Sequence, residues 1–281
     1  MIPVGVGLSA LGSLAEEASC SIGKKEMALH VESPFTFGML NAVWMVAISL
    51  FLILFVRHTF LFSLATLPFF CTRMVLEIAL AHGTVRAIQI AERTTYGLLR
   101  VITIPVLLIA DVVIGSGLGW MQILGVIVII LSMIVFFLNH GFARRGVWLV
   151  VATSITGAIT SLLYRYTLTH GNAVEAESLI SGTLIATYFF FQARHHEQKN
   201  PFTHLRNRLI VFQSAAFGAS SIILGFSFLF APSSVVMAVK RSAAVIWSMI
   251  AGIAVFHERD RVTKTIAATL AVIGVVLLTL K

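Results

Sequence analysis

Charge is what this sequence has least of. Only 11% of its 281 residues are Asp, Glu, Lys or Arg, where a soluble domain carries about a quarter. With 58% of the residues hydrophobic, no packed core in water hides the apolar surface, and a bilayer is the expected solvent. Acidic residues are scarcer than basic ones, 12 against 20. The basic ones are spread over short segments and form no stripe with interleaved aromatics, which argues against nucleic acid and for anionic lipid headgroups as counterions. Cysteine is nearly absent. Cys20 and Cys71 have neither disulfide nor metal-ligand spacing and are expected to pack inside apolar segments. Catalytic signatures are missing too: there is no His-Glu-x-x-His, no Gly-x-Ser-x-Gly and no Walker loop. His195-His196-Glu197 has no second cluster to complete a metal site and is expected to be a solvated loop. No enzyme activity, cofactor or metal is expected.

What remains is a succession of apolar runs. A spanning helix needs about 20 mostly apolar residues. Ten segments meet this: 2–28, 35–56, 59–81, 84–113, 118–139, 147–169, 174–193, 208–230, 233–256 and 263–280. Ser33-Pro34 and Ala231-Pro232-Ser233 mark helix starts, where the missing N–H of proline costs least. The run Gly115-Ser116-Gly117-Leu118-Gly119 separates the fourth and fifth segments, and the polar stretch from Gln192 to Arg208 separates the seventh and eighth. The first run has no basic region ahead of it, and Glu16 and Glu17 stand where a cleavage site would want small residues. It therefore reads as a retained helix of the mature protein.

The two halves echo each other. Ser21 to Lys25 with His30 aligns with Ser161 to Arg165 with His170 at an offset of 140. Ala91-Glu92-Arg93-Thr94 aligns with Val239-Lys240-Arg241-Ser242 at an offset of 148, and Gly125-Val126 and Ala267-Ala268 then open the last helix of each half. Five spans per copy is an odd number, so the second copy enters the membrane the opposite way round. The expected fold is an all-α integral membrane protein of ten transmembrane helices in two inverted five-helix repeats, 1–140 and 141–281, with substrate near the midplane.

The stretch from Ala231 through Lys240-Arg241-Ser242 to Phe256-His257-Glu258, followed by Ala267 to Gly274-Val275, resembles the end of the EamA-type repeat of the drug/metabolite transporter superfamily. In the first repeat, Gly and Ser residues replace the Glu258 position. The resemblance implies a ten-helix transporter with both termini in the cytoplasm. The Lys-Arg pair is also similar to that of the sugar-phosphate and nucleotide-sugar branch, where it contacts substrate phosphate.

Ionisable residues inside apolar spans carry the functional information, because each costs roughly 2.5–3.5 kcal/mol at a helix centre unless it faces a cavity or a partner. Arg86, Arg93 and Arg100, seven apart in the expected fourth span, share a face with Gln89 and Tyr96. Ser234, Arg241 and Ser248 repeat that spacing beside Lys240. Arg86 and Arg100 alternatively snorkel to opposite surfaces. The substrate-binding candidates are Lys25, Arg93, Tyr96, Arg165, Lys240 and Arg241. Glu16, Glu17 and Glu92 are the coupling candidates, since burial raises a carboxyl pKa, although an ion pair with Arg93 or Lys240 is the plainer role for Glu16 and Glu17. Arg73 and Glu77, four apart, are expected to neutralise each other. His30, His82 and His170 are expected at the membrane surfaces.

The surplus of basic groups points to a small anionic or zwitterionic organic solute, moved by a gradient across the cell's inner or plasma membrane by a monomer or homodimer. Alternatives are an exporter of amphipathic drugs or amino acids, and a membrane-embedded enzyme acting on lipid-linked substrates. Loop charges give the orientation: Arg144, Arg145, Arg194, Lys199, Arg206, Arg208, Arg259, Arg261 and Lys264 follow odd-numbered spans, against Arg57 and Lys281 on the other side. The positive-inside rule then places both termini outside, the reverse of what the resemblance implies.

Overall fold

A computed structural model describes residues 2–28, 33–90, 100, 103–115, 119–138, 146–197, 201–256 and 261–280. These residues form ten α-helices and no strand. The first five are α1 (Ile2–Ala28), α2 (Pro34–Phe51), α3 (Leu67–Ile90), α4 (Thr103–Val113) and α5 (Trp120–Leu138). The others are α6 (Val147–Thr169), α7 (Val174–Glu197), α8 (Arg208–Phe230), α9 (Ser233–Phe256) and α10 (Arg261–Thr279). Among the described residues, four stretches are long and apolar enough to cross a membrane: Pro34–Arg57, Leu64–Ala87, Val147–Thr169 and Arg208–Phe230. Outward faces carry large apolar side chains such as Val113, Trp120 and Trp148, the last 84% exposed. Water solvates such a surface poorly, and hydrocarbon does so well.

Local chemistry sets the boundaries. Ser33 accepts a hydrogen bond from the Thr36 N–H at 3.1 Å and precedes Pro34 at the start of α2. Asn207 does the same for Leu209 N–H at 3.0 Å before α8. α2 continues into a π-helical turn, Leu52–Arg57, which stops at the left-handed His58.

Several expectations are corrected. No break falls between residues 81 and 84, because α3 runs through His82 and Gly83 to Ile90. Gly83 is a close-packing position: a Cβ there would sit 2.7 Å from the Thr153 methyl on α6. The segment 59–66, expected to begin the third span, precedes α3 as irregular chain and one short 3-10 turn. Arg86 consequently belongs to α3, while Arg93, its expected neighbour on the Arg86–Arg93–Arg100 stripe, lies outside the described residues. His195-His196-Glu197 is the last turn of α7 and not a loop, and the histidines lie in its basic C-terminal turn, where positive charge is favoured. Cys71 is exposed on the outer side of α3 and does not pack inside.

The helices pair across the chain and not along it. α1 packs chiefly on α8, α2 on α7, α3 on α6, α4 on α9 and α5 on α10. Replacing each helix by the one five places along turns the α1–α8 pair into α6–α3, and maps each of α2–α7, α4–α9 and α5–α10 onto itself. Glycines permit the closest of these contacts: a Cβ on Gly125 of α5 would lie 2.8 Å from the Gly274 carbonyl oxygen of α10.

The contacts also sort the helix ends onto two faces. Gly5 of α1 lies against Ser227 and Ala231, Asp111 of α4 meets the start of α9, and Ala173 N–H donates to Leu61 O at 2.9 Å. These ends, with the end of α10 against the start of α5, form the terminal face. Phe35 of α2, with His82 and Arg86 of α3 and His196 of α7 around its ring, marks the far face.

Candidate functional site

A cavity of about 310 Å³ lies between α1, α2, α3, α6, α7, α8 and α9, with Arg100 and Thr103 at its edge. Each helix presents one stripe to it. On α6 the stripe is Thr153, Gly157, Thr160 and Tyr164, on α7 Ser178, Ser181, Ile185 and Phe189, and on α3 Arg73, Glu77, Leu80 and Thr84. Steps of three and four keep such a stripe on one side of a helix. The wall is rich in hydroxyls, many of which bond a carbonyl one turn back, as Ser154 does with Val150 at 2.7 Å and Ser161 with Gly157 at 2.7 Å.

Two charged centres border the cavity. The first joins α1 to α9. The Ser9 hydroxyl donates to Val236 O at 2.7 Å and the Ser13 hydroxyl to Lys240 O at 2.9 Å, so residues four apart on one helix match residues four apart on the other. That register carries Glu16, one turn beyond Ser13, to the Lys240 ammonium at 2.6 Å. Arg241, 8% exposed, and Arg100 line the same region, as does Cys20 one turn beyond Glu16.

The second centre joins α3 to α7. Arg73 Nε donates to Glu77 at 3.0 Å and its Nη1 to fully buried Glu177. The guanidinium carbon lies 4.3 Å from the Tyr164 ring centroid, a cation–π contact. Asn172 Nδ2 donates to the other Glu177 oxygen at 2.6 Å, while its Oδ1 accepts from Ser63 N–H at 2.7 Å and the Thr66 hydroxyl at 3.1 Å. The ionic group is thereby tied to the segment ahead of α3. Glu77 remains 31% exposed and faces the cavity.

Of the substrate-binding candidates, the structure brings Lys240 and Arg241 together at the cavity, with Glu16 against them. Lys25 is exposed near the end of α1 and does not border the cavity. Arg165 lies outside as well, 3.1 Å from Asp111. Glu17 sits one residue off the inward stripe of α1. Glu92, Arg93 and Tyr96 lie outside the described residues. Arg73 and Glu77 pair as their spacing predicts, and Arg100 borders the cavity instead of a membrane surface. Ser234 is a buried helix-start residue of α9, with its N–H donating to Asp111 Oδ2 at 2.6 Å. His82 is hydrogen-bonded to the Tyr188 hydroxyl at 2.8 Å.

No family model and no curated protein matches this chain. Its fold is nonetheless a known one. Twenty-eight solved chains are similar. One, described only as a crystal structure of a protein, superposes with a TM-score of 0.73 over 98% of this chain and 98% of its own, at 15% identity. At that identity the likeness shows the fold alone, from end to end.

Four buried polar residues escaped sequence reasoning. Glu177 and its neighbour Glu175 occupy the first turn of α7, where acids are favoured by the helix dipole and draw no notice. Asn172 joins the site only through contacts more than 100 residues away in sequence. Asp111, by contrast, stands in an otherwise apolar run, and the cost of burying a charge there is the signal that flags it.

Proposed function

We propose that this chain is a gradient-driven transporter of a small anionic or zwitterionic organic solute, moving it through the central cavity by alternating access. The two moving parts are inverted five-helix repeats, residues 1–140 and 141–281, in a cell's inner or plasma membrane. The observation that carries this reading is the cavity itself: both halves line it, and buried charged groups border it at two places. Charges are kept in an apolar bundle where they meet water, substrate or each other. The exchange of α1–α8 for α6–α3, with three pairs mapping onto themselves, is the pairing expected of repeats related by a two-fold axis in the membrane plane. The resemblance of the ninth helix to the EamA-type repeat points the same way.

Lys240 and Arg241 bind the anionic group: one supplies a compact charge, the other a planar fork. Glu16 pairs with Lys240 at 2.6 Å. It is the coupling carboxylate of this scheme, released when an anion takes its place. The test is affinity and melting temperature measured on one preparation in liposomes, screened against phosphates, organic acids and amino acids. Arg241→Gln should weaken binding by roughly 1.5–3 kcal/mol, the scale of a hydrogen bond to a charged group, with Arg241→Lys a partial rescue. A lower melting temperature with unchanged affinity would end the anion-site reading. An amphipathic cargo is the second reading, favoured by Phe37, Phe189, Phe217 and Phe228 in the wall. In the same screen it requires aromatic solutes to outbind small polar ones.

A further inference from the structure

Counted over the described lining residues, the two charged centres differ in sign. At the first, Lys240, Arg241 and Arg100 line the cavity with one described lining carboxylate, Glu16. At the second, two carboxylates share one guanidinium, so one negative charge is in excess. Glu177 is fully buried with both oxygens engaged, by Arg73 and by Asn172. Glu77 is different: Oε2 is taken by Arg73 Nε, and the side chain is 31% exposed toward the cavity. A solute bearing only an anionic group satisfies the first centre and leaves the excess charge of the second facing it. A solute bearing only a cation meets the opposite fault. Attraction between unlike charges is strong where water is excluded, and mismatch is correspondingly costly.

We infer that the cavity takes a dipolar solute, with its anionic head at Lys240 and Arg241 and a cationic group, several bonds away, at Glu77. This rests on the transporter reading of the same cavity and narrows its substrate class. The wall of the cavity carries hydroxyls from α6 and α7, such as Thr160 and Ser181, which suit a hydrated polar linker.

Cys20 reports occupancy directly, because it lines the cavity beside Glu16, while the other thiol, Cys71, is exposed and removable as Cys71→Ser. In that background, full-length protein in liposomes is treated with N-ethylmaleimide in the presence of γ-aminobutyrate, ε-aminocaproate, hexanoate, hexylamine or inorganic phosphate. Melting temperature is recorded on the same samples. One of the two amino acids should protect Cys20 at a concentration about tenfold or more below hexanoate and hexylamine, the scale of one added charged contact. Glu77→Gln should erase that preference, weakening the amino acid and strengthening hexanoate by removing the charge that faces it, and Glu77→Asp, which keeps the charge, should retain part of it. Arg241→Gln should weaken both amino acid and hexanoate. If hexanoate or phosphate protects as well as the better amino acid, or the preference survives Glu77→Gln, the dipolar inference is overturned and the anion site stands. If no probe protects Cys20 or shifts the melting temperature, both are overturned.

Discussion

Arg73 is 2% exposed and held by two carboxylates and an aromatic face. A buried charge of this kind is expensive to strand and much less so to remove together with its partner. Arg73→Met alone, which leaves Glu177 buried without its cation, should therefore destabilise the protein by about 3–5 kcal/mol in thermal unfolding in detergent. Arg73→Met combined with Glu177→Met should recover most of that loss. Equal losses for the single and the double replacement would show that the network contributes nothing as a pair. Half of this cluster was legible beforehand. Arg73 and Glu77 stand four apart on one helix, and spacing predicts their contact. Glu177 reaches Arg73 from another helix, 104 residues on, and no local periodicity carries that information. The Lys240–Glu16 pair was legible as one of two partnerships, since burial of both charges demands a neutraliser without naming it.

At the scale of the helix, α9 starts with its N-terminal amides turned toward a carboxylate from another helix. Asp111 of α4 accepts from Ser234 N–H and pairs with Arg165 of α6, so a single side chain joins three elements. Asp111→Ala removes an N-terminal acceptor, a change of about 0.5–2 kcal/mol at ordinary caps. Faster amide hydrogen exchange should appear at the first turn of α9, from Ser234 to Val236, before it appears elsewhere. Unchanged exchange there would show that the bond is dispensable.

A second test concerns close packing. Gly125→Ala drives a methyl into the backbone of α10 and should lower the melting temperature, while Gly7→Ala on α1, with nothing within 4 Å, should leave it unchanged. Helix boundaries were read well where the chain punctuates itself. α1, α6, α8 and α9 have the expected limits, three of them beside Gly146, Asn207 and Pro232. The reading failed at His82-Gly83, because a glycine that lets two helices touch looks the same in sequence as a glycine that turns the chain.

For the molecule as a whole, the arrangement of ends turns the loop charges into a statement about orientation. Described basic residues toward the far face include Arg86, Arg194, Arg206, Arg208 and Arg261, against Arg57 and Arg165 toward the terminal face. The positive-inside rule then predicts that the far face is cytoplasmic and both termini lie outside. A fluorescent reporter that matures only in the cytoplasm, fused after Lys281, should stay dark, and fluorescence would assign the opposite orientation, the one implied by the resemblance. The pairing of helices across the chain bears on how the protein is made. α1 ends at Ala28 and its main partner α8 begins at Arg208, 180 residues later. On the ten-span reading proposed above, and at about 5–20 residues per second of synthesis, α1 waits some ~10–40 s in the bilayer with its serines and its Glu16 facing lipid. During that interval a membrane chaperone or a provisional neighbour must shelter those polar groups. Residues 1–140 produced alone should be degraded, and co-synthesis with a separate 141–281 chain should rescue them.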